Sequence, residues 1–146
     1  VSLAGCSPRA ADDADSKPSG AKGPSGAARG ACHEARKLDI DHMVPLAEAW
    51  DSGAFGWTLE RREAYANDLG AERSLVAVTA KSNRSKSDRD PASWLPLAED
   101  AHCLYAADWT GTKLRWQLNA DDKEPAALVK LAEACPDTTV QYEAAQ

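Results

Sequence analysis

No stretch of this sequence is long and apolar enough to span a bilayer, so no integral membrane segment is expected. An excess of positive charge is also missing. Seventeen Lys and Arg stand against 23 Asp and Glu, giving a net charge of −6 and a pI near 5.0. That balance argues against coating nucleic acid by bulk electrostatics. Any role there must rest on a local basic patch or a bound cation. Cysteine is scarce, with four in 146 residues, and neither a CxxC nor an HxxxH spacing occurs. A zinc site built from Cys32, His33, His102 and Cys103 would need two adjacent Cys–His pairs, an awkward ligand set, and is disfavoured. No internal repeat is found. Residues 7–31 contain no aromatic or β-branched side chain, only Pro, Gly, Ser, Ala and mixed charges. Such a segment cannot bury enough apolar surface to offset its ordering entropy and reads as a flexible linker.

What remains divides the chain into three: residues 1–31 as start and linker, 32–137 as a folded domain, and 138–146 as a tail expected to fray. The middle part holds all five Trp and all three His. Its core is small and would benefit from a covalent staple. Leu3-Ala4-Gly5-Cys6 resembles a bacterial lipobox, which implies export and a lipid on Cys6 as the membrane anchor. Setting Cys6 aside leaves Cys32, Cys103 and Cys135, so at most one intramolecular disulfide can form among them. Cys103 and Cys135 share the C-terminal helical region and are the expected pair, leaving Cys32 free or intermolecular.

Hydrophobic pattern and punctuation place the elements. A strand over 38–44 ends at Pro45, and "LAEAWDSGA" is a short helical turn stopped by Gly53. "TLERREAYANDL", 58–69, reads as a helix capped by Thr58 and stopped at Gly70, with Leu59, Arg62, Tyr65, Ala66 and Leu69 on one face. "SLVAVT", 74–79, is a β-prone run suited to antiparallel pairing with the first strand, and a polar loop or short helix follows it. Two helices complete the chain. One covers about 98–118, with Gly111 as a potential break, and the other carries Leu128, Leu131, Ala132 and Cys135 on one stripe.

The informative stretch is "LDIDHMVPL". Strand alternation sets Leu38, Ile40, His42 and Val44 on one side and Asp39, Asp41 and Met43 on the other. By itself this is consistent with a half-buried edge strand carrying an ordinary core histidine. Downstream, however, "SLVAVTAKSNRSKSDRDP" joins a strand to a basic segment with Lys81, Arg84, Lys86 and Arg89 around Asn83. In this order the two segments resemble the two halves of an HNH endonuclease. More narrowly they resemble the small secreted bacterial HNH nucleases related to the C-terminal domain of GmrSD-type restriction enzymes. "WDSGA", "YANDL" and "WLP" share in the resemblance, which covers about residues 38–135.

The resemblance implies an α+β fold: a small two-stranded ββα-metal (HNH) core packed with several helices and preceded by a disordered arm. It implies a metal-dependent endonuclease hydrolysing DNA, with RNA as the alternative substrate, and with low sequence specificity, since no base-reading module is visible. His42 would be the general base, imidazole being the side chain that ordinarily titrates near neutral pH. Asp41 and Asn83 would supply oxygen ligands to one divalent cation, Mg²⁺ first and Mn²⁺ second. Arg84 and Lys86 would contact phosphates, although a basic run can equally be a solvated helix face. Asp39 reads as a partner of the site or as an ordinary strand-face acid. One departure stands out. The family pattern has Asn at the start of the second strand to orient the general base, and this chain has Ser74, so Ser74 or a backbone carbonyl must take that role. A monomer acting outside the cell or on the outer face of the cytoplasmic membrane is expected. The alternative is a catalytically inactive HNH-like module that binds nucleic acid or an envelope partner.

Overall fold

A computed structural model describes residues 37–146. The lipobox-like start, the linker, Cys6, Cys32 and His33 lie outside the described residues. Strand β1 (Leu38–His42) pairs antiparallel with β2 (Leu75–Thr79) in a two-stranded sheet. Among the described residues five α-helices accompany it: α1 (Leu46–Asp51), α2 (Leu59–Ala66), α3 (Ala80–Lys86), α4 (His102–Trp116) and α5 (Glu124–Glu133). The α+β class expected from the sequence is what the chain adopts.

Local chemistry accounts for most element boundaries. Pro45 has no N–H for a strand ladder, and its carbonyl instead accepts the Ala49 N–H at 2.8 Å, opening α1. Gly53 follows α1 at φ 118°, a conformation that side chains resist. The Thr58 hydroxyl accepts the Arg61 N–H at 3.2 Å, and the Thr79 hydroxyl accepts the Ser82 N–H at 3.2 Å. The second cap starts α3 on the residue after β2, so the segment left open as loop or helix is a helix. The Asp121 carboxylate accepts the N–H groups of Lys123 and Glu124, both at 2.8 Å, and opens α5.

Three expectations are corrected. The helix expected over 58–69 ends at Ala66, because a further turn would bury nothing: Leu69 is 86% exposed, and the chain turns Asp68 inward instead. Gly111 does not break α4. A Cβ there would lie 2.9 Å from the Gln141 carbonyl oxygen, so glycine serves the close approach of the C-terminal segment. That segment, expected to fray, lies along α4. The Ala145 N–H donates to the Arg115 carbonyl at 2.9 Å, and the Arg115 guanidinium donates to the Glu143 carbonyl at 2.7 Å.

The core gathers Met43, Val44, Ala49, Tyr65, Tyr105, Trp109 and Trp116. Within it Lys113 is buried, its ammonium donating to Glu48 (2.9 Å), Ser52 (2.7 Å) and Glu124 (2.6 Å), while the Trp109 indole donates to the other Glu124 oxygen at 2.6 Å. Burying these charges is tolerated because each has an opposite charge and hydrogen-bond partners. No helix among the described residues is long and apolar enough to cross a membrane.

Cys103 at the start of α4 is bonded to Cys135 just beyond α5, closing a loop across a sequence separation of 32. The thiol of Cys103 is thereby consumed, which removes it from the disfavoured zinc set. Loop closure of this length restricts the unfolded chain by about 3–4 kcal/mol. Urea unfolding of a Cys103→Ser, Cys135→Ser double variant should therefore show stability lowered by about that amount. An unchanged midpoint would contradict this account of the staple.

Candidate active site

The alternation of β1 holds over residues 38–41, and there the side that faces protein is the acidic one. Ile40 is 64% exposed, whereas Asp39 and Asp41 are half-buried beneath α3. Neighbouring residues on a strand point to opposite faces, and residues two apart share one. Here that places both carboxylates against the helix that follows β2. Asn83 of α3 donates from Nδ2 to the Asp39 carboxylate at 3.2 Å, a contact across 44 residues of sequence. One turn on, the Lys86 ammonium donates to Asp41 Oδ2 at 2.7 Å and to the His42 carbonyl at 2.6 Å.

Lys86 was expected to meet phosphate. Instead it is buried, with only 3% of its side chain exposed, and its ammonium ties the end of β1 to α3. Burial pulls its pKa down and the Asp41 carboxylate pulls it back up. The reason it points inward is Asp41: a half-buried carboxylate needs a countercharge, and Lys86 sits at the position of α3 that reaches it. Arg84, on the same short helix, is exposed.

His42 faces the other way. Its Nε2 lies 2.9 Å from the Ala66 carbonyl at the end of α2, and its ring stacks on Tyr65 with centroids 6.1 Å apart. A carbonyl oxygen can only accept, so Nε2 is the donor here, and in the neutral ring Nδ1 is then the nitrogen with the lone pair. Tyr65 is itself held by donating its hydroxyl to the Val44 carbonyl. The Ser74 hydroxyl is not hydrogen-bonded to the imidazole. Its hydroxyl donates to Asp68 Oδ2 at 2.6 Å, and its carbonyl accepts the Met43 N–H at 2.9 Å just past β1. Of the two partners left open for the histidine, the geometry favours the carbonyl. A serine hydroxyl is shorter than an asparagine amide, and Asp68 captures it.

Asp68 belongs to the "YANDL" segment but is assigned no role from the sequence, yet it organises this corner. Its carboxylate accepts from Arg115 Nε (2.8 Å) and Nη2 (2.9 Å), from the Trp116 indole (2.9 Å) and from Ser74. Burial works to raise its pKa, but the hydrogen bonds from Arg115, Ser74 and Trp116 outweigh it and hold the group at about 2. Asp39 is the other residue underrated by the sequence. Its D-x-D spacing with Asp41, two residues apart on one strand face, was the available signal.

The donor chemistry at β1 and α3 can be tested against a cation. Among the described residues no group of three or more His, Cys, Asp or Glu side chains is gathered to hold a metal. The oxygens available are those of Asp39 and Asp41 and the Asn83 amide carbonyl, whose Nδ2 is engaged with Asp39. Carboxylate and amide oxygens suit a hard divalent ion whose remaining positions are taken by water and phosphate, so these residues fit.

The chain matches, over residues 11–131, the family described as GmrSD restriction endonucleases, C-terminal domain. It is also 40% identical over 101 residues to a protein from Arthroderma benhamiae described as an uncharacterized secreted protein. That alignment takes in 69% of this chain and 49% of the relative, so the chain spans about half the relative's length. No solved structure matches. The family match covers most of the chain, from the segment before β1 to α5, and the protein belongs to the family of GmrSD restriction endonuclease C-terminal domains, a nuclease-type domain.

Proposed function

We propose that this chain is a metal-dependent HNH endonuclease that hydrolyses phosphodiester bonds of DNA with low sequence specificity, RNA being the alternative substrate. It would act as a monomer outside the cell. The domain of residues 32–137 would carry the activity, with β1, β2 and α3 forming a ββα-metal core. The observation that carries the reading is the Asn83–Asp39 contact at 3.2 Å, which joins the two halves of the motif in space. The secreted relative supports an extracellular site of action, and lipidation at Cys6 would tether the protein to the membrane surface.

Asp41 and Asn83 would hold Mg²⁺ or Mn²⁺, which when bound supplies charge neutralisation at the phosphate and leaving oxygen. By accepting the Asn83 Nδ2–H, Asp39 would leave the amide carbonyl as the oxygen available to the cation. Lys86 fixes Asp41 and leaves its second oxygen for the cation. His42 Nδ1 takes a proton from water as the water oxygen bonds to phosphorus. The bond from phosphorus to the 3′ oxygen breaks, and that oxygen takes a proton from solvent water to leave as a hydroxyl, while His42 later returns its proton to solvent, so the product bears a 5′-phosphate. Arg84 is the exposed cation placed to attract the neighbouring phosphates.

Plasmid nicking by the purified chain tests this directly. Cleavage should require Mg²⁺ or Mn²⁺ and stop with EDTA. Asn83→Ala should raise the metal concentration needed by about 10–100-fold. Nicking that survives EDTA, or the absence of nicking with either metal, would overturn the reading.

A further inference from the structure

Beside the Asp41–Lys86 pair lies a cavity of about 410 Å³ that none of the chemistry above uses. Its walls come from Leu75 and Val76 of β2, Trp94, and Tyr105 of α4, and Asp41 and Lys86 form one side. The volume is in the range of small-molecule sites, roughly 300–1,000 Å³. Tyr105 is 7% exposed, and its buried hydroxyl has no hydrogen-bond partner among the described residues. Buried hydroxyls are normally paired, so a ligand atom that meets this one would relieve a standing cost.

The charges around the cavity narrow the ligand. Lys86 is committed to Asp41 at 2.7 Å, and Arg73, which also lines the cavity, is committed to Asp108 at 2.7 Å. Neither cation is left over for a phosphate inside, and the carboxylates would repel one. A flat, uncharged group with a polar edge fits better. Its faces would lie on apolar and aromatic walls, as unstacked bases lie on proteins that read single strands. Trp94 and Tyr105 stand edge to face with centroids 5.7 Å apart.

We propose that this cavity receives one nucleobase, turned out of the strand being cut, next to the scissile phosphate at the cation site that Asp41 and Asn83 would form. The proposal rests on the nuclease reading. It makes single-stranded or locally unstacked nucleic acid the preferred substrate, because a paired base would first have to leave its duplex. Tyr105 then acts as a binding residue, its hydroxyl paired with the polar edge of the base.

The test uses single-stranded oligonucleotides with one cleavable phosphodiester, the other linkages being phosphorothioates, and an abasic sugar placed in turn on each side of that bond. Removing the base on one side should cut kcat/KM roughly 10-fold or more, the scale of one lost stacked base, while removal on the other side does less. Tyr105→Phe, which keeps the ring and removes only the unpaired hydroxyl, should raise KM for the intact strand about three- to tenfold. The same change should narrow the gap between intact and abasic strands. If wild type cleaves but both abasic substitutions stay within twofold of the intact strand, the base site is overturned and the nuclease stands. If no oligonucleotide is cleaved with Mg²⁺ or Mn²⁺, the nuclease reading falls and the base site with it.

Discussion

Replacing Asp68 by alanine should destabilise the domain by about 3–5 kcal/mol, the scale for breaking a buried ion pair from one side. The carboxylate is 4% exposed and holds Arg115 in a two-pronged grip, together with the Trp116 indole and the Ser74 hydroxyl. Its removal strands those donors where water cannot replace it. Urea unfolding at neutral pH measures the loss. The effect has a pH signature as well. Because the folded group titrates at about 2, below its usual 3.8, its contribution is complete above that ordinary value. It fades as pH falls from there through 2. The stability gap between wild type and an isosteric Asp68→Asn variant should therefore close across that acid window. A gap that persists unchanged to pH 2, or a neutral-pH loss below about 1 kcal/mol, would show that Asp68 is not the tie described here. Activity should suffer in step, since Ser74 links this carboxylate to the junction of β1 and β2 through its carbonyl bond to Met43.

The second large effect belongs to His42. His42→Ala should lower the cleavage rate by about 10²–10⁴-fold, the usual worth of a positioned general base. The Ala66 carbonyl holds the proton on Nε2, which leaves Nδ1 as the basic atom. The ring also packs against Tyr65, so a purely structural role has to be separated from a chemical one. Free imidazole added to the variant does this: partial recovery of nicking is expected from a missing base and not from a packing defect. Retention of activity within tenfold of wild type would remove His42 from the mechanism.

Much of this protein was legible because the signals are local. Thr58 and Thr79 cap helices three residues ahead, Pro45 ends a strand, and a left-handed Gly53 closes a turn. The same reach exposes the D-x-D-H and S-N-R-x-K segments as motifs, and the helical setting of Cys103 and Cys135 suggested the bond that forms. Tertiary structure decided whatever depended on a distant partner. Lys86 reads as one more solvated cation until Asp41, 45 residues away, draws it into the interior. Asp68 reads as the polar end of a helix until Arg115 and Trp116, 47 and 48 residues on, surround it. Ile40 lies outside and the acids inside because α3 covers that side of β1. Composition marks a charge as costly to bury, but only the folded chain supplies the opposite charge that makes burial affordable.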